Sequence, residues 1–225
     1  MKFRWQRRTL VRQCATRELR AKMQRGLRPV ILAIWLPLAV LVPAAAVAHG
    51  DEEPAKRLAR IGAAPDFMLT AQDGSTFSTT DLRGKVVAVN FMFTRCGEVC
   101  PLATDKMAGI QQELGDAFGR DVYFVSVTVD PEHDTPAVLA EYARAFGSDL
   151  SGWVFLTGAP TAIREVARSY GVVYRQPPDG EVEHILLTSL IDREGILRVQ
   201  YMGERFDPSE LLHDLRDLMT EDTSQ

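Results

Sequence analysis

Cysteine is scarce in this sequence, with three residues among 225. Cys14 lies far upstream, so Cys96 and Cys100 are the one close pair. A disulfide stabilises a fold by closing a loop, and a three-residue gap closes almost nothing. The pair is therefore a poor structural staple, which points to chemistry instead. Positive charge is also scarce over most of the chain. Residues 1–48 hold ten of the 26 Lys and Arg residues and a single acid, Glu18. From His49 onward 16 basic residues face 29 acidic ones, a net of −13. That balance makes nucleic acid a poor partner and suits basic proteins or metal cations. Serine is absent from residues 1–48, whereas mitochondrial transit peptides are rich in it. Internal repeats and low-complexity tracts are missing too.

The N-terminus does have a run of 20 uncharged residues, "PVILAIWLPLAVLVPAAAVA" at 29–48. About that many helical residues cross a bilayer core of roughly 30 Å. The run ends in Ala46-Val47-Ala48, a small-x-small pattern that a signal peptidase can cut. Its basic flank comes first, which places the domain on the outer side of the membrane. Residues 1–48 therefore read as a basic leader with an export signal peptide or a retained membrane anchor. A start at Met23 gives the leader ordinary proportions. Either way the expected location is the periplasmic side of a bacterial inner membrane. Cys14 is left on the cytoplasmic side or removed, and disulfides can persist around the exported pair. Residues 49–64 form a charged linker, and 65–222 form the folded domain.

Within that domain strands alternate with helices, which implies an α/β sheet covered on both faces. "DFMLTA" and "TFSTT" flank the turn "QDGS" as a small hairpin. "KVVAVNFMF" (85–93), "DVYFVSVTVD" (121–130) and "WVFLT" (153–157) read as strands. Apolar residues at 102, 103, 107, 110, 114 and 118 predict a helix over 101–119. Helices are also expected over 135–147, with Thr135 as N-cap, over 160–171, and over 207–219, with Asp207 as cap. "HILLTSLID" (184–192) and "ILRVQYMG" (196–203) read as a second hairpin.

"RCGEVCP" (95–101) falls between the end of a strand and the start of a helix. Ligand sites of open α/β sheets lie at such carboxyl ends. Pro101 fits a first helical position, which leaves Cys100 in the loop before it. A helix N-terminus favours thiolate and lowers a cysteine pKa. Gly97 frees the loop to turn both sulfurs toward one point. Two such sulfurs can hold a metal or form a disulfide. Thiolates in an exported protein favour soft-metal or redox chemistry, and Cu(I) suits them best.

A third ligand would decide between these, and there are four histidines. His184 heads a strand, and His133, in "DPEHDTP", follows the strand beside the cysteines. On spacing alone the two stand level. His213 reads as a solvated helix residue. His49 would become the N-terminus after cleavage, where amine and imidazole together can chelate Cu(II). Met107 and Trp153 read as core. Met92 lies on a strand with one face in the core and can line the site. Asp130, Pro131 and Asp134 read as shapers of the neighbouring loop.

Taken together, "VNFMFTRCGEVCP", "SVTVDPEHDTP" and "EVEHILLTSLIDREG" resemble the Sco/SenC family of copper-binding proteins of cytochrome c oxidase assembly. The resemblance runs from about Gly62 to the last helix. It implies a thioredoxin-like fold, with a central mixed sheet flanked by helices. It also implies copper held by Cys96, Cys100 and His184, received from a copper donor protein and meant for the CuA site of oxidase subunit II. The family loop usually reads Cys-Pro-Asp-x-Cys, so Gly97 and Glu98 are departures, and glycine should loosen the loop. Glu183 replaces a usual aspartate and keeps its charge. Two functions follow from these residues. One is a metallochaperone that carries copper. The other is a thiol–disulfide reductase of the CuA cysteines, with Cys96 and Cys100 as the redox pair. "HILLTSLID" lacks the proline that thioredoxin-like enzymes place before that strand, and the spacing is CxxxC rather than CxxC. Both features argue against a general oxidoreductase, and a peroxiredoxin-type peroxidase fits less well still.

Overall fold

A computed structural model describes residues 58–175, 186–203 and 206–221, together with the backbone of 183–184. The leader, Cys14, Met23, His49 and most of the linker lie outside the described residues. The strands are β1 (Gly62–Ala63), β2 (Met68–Ala71), β3 (Thr76–Ser78), β4 (Val86–Met92), β5 (Val122–Thr128), β6 (Trp153–Thr157), β7 (Tyr174–Arg175), β8 (Glu183–His184), β9 (Leu187–Ile191) and β10 (Ile196–Met202). The helices are α1 (Val99–Leu114), α2 (Pro136–Ala145), α3 (Pro160–Ser169) and α4 (Pro208–Thr220).

Eight strands form one sheet in the order β1-β10-β9-β4-β5-β6-β2-β3. β4, β5 and β6 run parallel, and the other pairings are antiparallel. β4 reads VVAVNFM and is buried along its whole length, as a strand covered on both faces must be. α1 joins β4 to β5 and α2 joins β5 to β6, both stepping the same way. Right-handed crossovers then put both helices on one face. α4 joins them there, with Arg216 Nη2 donating to the Glu113 carbonyl at 3.1 Å. The other face is covered by α3. Tyr170 at its end brings its ring within 5.8 Å of Phe91 and 6.0 Å of Phe67. Side chains alternate along a strand, so Asn90 and Met92 face the α1 side. This is the mixed sheet flanked by helices, thioredoxin-like in arrangement, that the resemblance implied.

Two elements differ from the expectation. α1 starts at Val99, so Cys100 sits inside its first turn and Pro101 third in the helix. The first turn has no intrahelical use for its N–H groups, so proline is tolerated there as well as at the first position. The helix also stops early, at Gly115, which takes φ 50°. Phe118 keeps its core place without being helical, with its ring 4.9 Å from Phe124. The second difference is in "HILLTSLID", which is not one strand. Glu183 and His184 pair with Arg175 and Tyr174 in a separate two-stranded ladder, and the large sheet takes up the chain only at Leu187.

Strand register decides what meets at each end of the sheet. Met92 pairs with Thr128, and Val129 N–H donates to the Met92 carbonyl at 2.8 Å. The loops after β4 and β5 therefore emerge side by side. β9 runs against β4 with Thr188 opposite Asn90, so it enters the sheet at this same pole.

Candidate metal site

Cys96 is half-buried and Cys100 is buried, 1% exposed, and no disulfide joins them in this structure. The amide of Cys100 donates to Cys96 Sγ at 3.3 Å. Glu98, the N-cap of α1, makes no side-chain cap bond. The sulfur of Cys96 thus stands where a capping oxygen normally accepts from the first turn. Turning the loop back this far does not require glycine. Gly97 is absent from the positive-φ residues, and a Cβ added there meets nothing within 4 Å.

The expectation that a helix N-terminus lowers a cysteine pKa is corrected at Cys100. Burial pushes the Cys100 thiol up to about 12. A backbone hydrogen bond from Phe93 opposes that rise, while Cys96 and the charge of Asp134 add to it. Desolvation disfavours the charged form more than one helix terminus favours it.

Both aspartates of "DPEHDTP" reach the cysteine loop. Asp130 pairs with Arg95, Nη2 to Oδ2 at 2.6 Å. Asp134 is wholly buried and accepts three hydrogen bonds. They come from the Thr94 amide at 3.0 Å, the Thr94 hydroxyl at 2.5 Å and the Thr128 hydroxyl at 2.5 Å. A second chain reaches Cys100 from α2. Thr104 Oγ1 gives its one hydrogen to the Cys100 carbonyl at 2.9 Å, so it accepts from Tyr142 O–H, also at 2.9 Å. Burial raises the Tyr142 phenol pKa well above its ordinary value, which keeps that proton in place.

The structure thus brings Cys96 and Cys100 together at the pole where β4 ends. It places the His184 backbone in β8, opposite Tyr174 and a few residues before β9 enters that pole. The His184 side chain lies outside the described residues. His133 is exposed on the loop after β5. His213 is exposed on α4, 3.5 Å from Asp217. Met92, Met107 and Trp153 are core. Among the described residues no three His, Cys, Asp or Glu side chains form a ready cage. Sequence reasoning missed Thr94, Thr104 and Tyr142. Parallel pairing of β4 with β5 was the available signal, since it sets the residues after each strand side by side.

The profile described as SCO1/SenC matches residues 56–220. The chain belongs to the SCO1/SenC family. Protein SCO1 homolog 1, mitochondrial, of Arabidopsis thaliana is 34% identical over 164 residues. That match takes in 71% of this chain and 47% of the relative, so the chain spans about half the length of that protein. The Bradyrhizobium japonicum ScoI structure with copper bound is 29% identical, with a TM-score of 0.61, covering 69% of this chain and 99% of that one. BsSco is described as a member of the Sco family of cytochrome c oxidase assembly proteins in which a disulfide switch is identified. It is 28% identical, with a TM-score of 0.64, covering 73% of this chain and 98% of that one. No helix among the described residues is long and apolar enough to cross a membrane.

Proposed function

We propose that this chain is an exported copper metallochaperone. Cys96, Cys100 and His184 bind one copper ion as cargo for the CuA site of cytochrome c oxidase subunit II. Residues 1–48 act as signal peptide or anchor, 49–64 as linker and 65–222 as the copper domain, on the periplasmic side of the inner membrane. A copper donor protein loads the domain. The observation that carries this reading is topological. The cysteine pair and the entry of β9, just downstream of His184, share one pole of the sheet. Two sulfurs and an imidazole are the donor set that a soft, thiophilic cation prefers. The position of Cys96 in a partly exposed loop suits cargo that must leave again. Copper in the ScoI relative supports the choice of metal.

The second reading, a reductase of the CuA cysteines, is favoured by the asymmetry of the pair. Cys96 is half-exposed and suited to attack a disulfide, while Cys100 is buried and suited to resolve the mixed disulfide. The disulfide switch of BsSco supports keeping it. A single experiment separates the two. Copper-loaded protein is mixed with the reduced CuA fragment of subunit II, and copper-free reduced protein with the oxidised fragment. The chaperone reading predicts metal transfer that disappears in His184→Ala. The reductase reading predicts thiol exchange that survives in His184→Ala and stops in Cys96→Ser.

A further inference from the structure

We infer that Asp134 is the positioning residue of the cysteine pair. Its buried carboxylate, through Thr94, fixes where Cys96 Sγ stands relative to Cys100. This rests on the reading that the two cysteines act together, whether as chelate or as dithiol. Cys100 needs little help, since it lies inside the first turn of α1 and its carbonyl is held by Thr104. Cys96 lies outside the helix, in a loop whose glycine adopts no restrictive conformation. Two residues before Cys96, Thr94 gives both its amide and its hydroxyl to Asp134. Asp134 is fixed in turn by the Thr128 hydroxyl at the end of β5 and by its own amide, which donates to the Asp130 carbonyl at 2.9 Å. The loop is therefore hung from the rigid centre of the sheet. Its sulfur is held close enough to accept from the Cys100 amide. Preorganisation of this kind raises the effective concentration of one sulfur at the other.

The test uses the purified full chain without copper, equilibrated in mixtures of reduced and oxidised dithiothreitol. In that exchange Cys96 and Cys100 give up two electrons and two protons to form their disulfide, while oxidised dithiothreitol becomes the dithiol. Asp134→Asn keeps the shape and loses acceptor capacity. Thr94→Val removes one bond and serves where Asp134→Asn folds poorly. Thr94→Ser keeps both donors. The disulfide equilibrium constant is expected to fall about tenfold in Asp134→Asn, a change that corresponds to about 1.4 kcal/mol. Thr94→Val falls less, and Thr94→Ser stays at the wild-type value. Cu(I) affinity, read by competition with bicinchoninate, falls in the same order. A purely structural role would lower the melting temperature of Asp134→Asn and Thr94→Val while leaving both equilibria in place, and that result overturns the proposal. A constant that rises in those variants overturns it as well. If wild type itself forms no intramolecular disulfide and binds no copper, the paired-cysteine reading fails and the positioning role goes with it.

Discussion

The two poles of the sheet are both fastened by buried charge, and they use it differently. At the pole away from the cysteines, Arg198 of β10 is buried and donates to Asp192 at 3.0 Å and to Glu221 at 2.7 Å. It also holds the carbonyls of Leu58 and Ala59, at 2.5 and 3.2 Å. One guanidinium thereby ties the start of the described chain, the β9–β10 turn and the end of α4. Its planar fork of donors is suited to such a junction. At the cysteine pole the central group is a carboxylate, held by two hydroxyls and an amide, and it grips a loop. The first arrangement closes the domain. The second places a reactive side chain. Buried charge in one domain can thus serve stability at one end and site geometry at the other.

The largest expected effect on this contrast is at the cysteine pole. Cys96→Ser or Cys100→Ser abolishes stoichiometric copper binding and leaves the melting temperature within a few degrees of wild type. Titration with absorbance and thermal unfolding of the same samples check this. Arg198→Ala does the reverse. Removing one partner of a buried ion pair leaves Asp192 buried without it, which destabilises by about 3–5 kcal/mol. Urea unfolding reads that loss, while copper affinity measured well below the midpoint stays at the wild-type value. A fall in copper affinity there would show that the poles are coupled.

The contrast also has a pH signature. The folded state raises the Cys100 pKa from near 9.0 to about 12, because burial penalises the thiolate. The unfolded chain therefore loses this proton first. The contribution of the thiol to stability is complete below about pH 9 and is lost as pH rises toward about 12. Unfolding of the reduced, copper-free protein across that window should show the decline, and Cys100→Ser should flatten it. The smallest effect is at Gly97. Nothing blocks a side chain there and φ is not positive. Gly97→Ala should therefore stabilise by about 0.4–1 kcal/mol through the unfolded state. A loss of stability instead would mean that the loop needs its glycine.

Much of the scaffold was legible before any coordinates. The buried strands around Val89, Val125 and Phe155 announced themselves by mostly apolar, β-branched runs. The caps Thr135 and Asp207 do accept from the first turns of their helices. Legibility failed where pattern and hydrogen bonding part company. Phe118 continues the apolar phase of α1, but Gly115 turns the backbone away, so burial was read correctly and helix was not. "HILLTSLID" looks uniform because an apolar run does not say when a strand changes partner. His184 pairs with Tyr174 while Leu187 joins the central sheet. Cys100 was expected to be acidic because the helix was visible in sequence and the burial was not. Asp130 and Asp134 were read as loop shapers, and their partners Arg95 and Thr94 came from the register of β4 with β5.

Copper carriage by this domain requires that two sulfurs and one imidazole act on a single ion. The direct measurement is a copper titration of the reduced protein, followed by absorbance, for wild type beside His184→Ala. One copper per chain is expected for wild type, with affinity weakened by more than about 100-fold in the variant, beyond the loss of a mere supporting neighbour. Equal stoichiometry and equal affinity in the two proteins would contradict a shared three-ligand site and leave the pair as a dithiol switch.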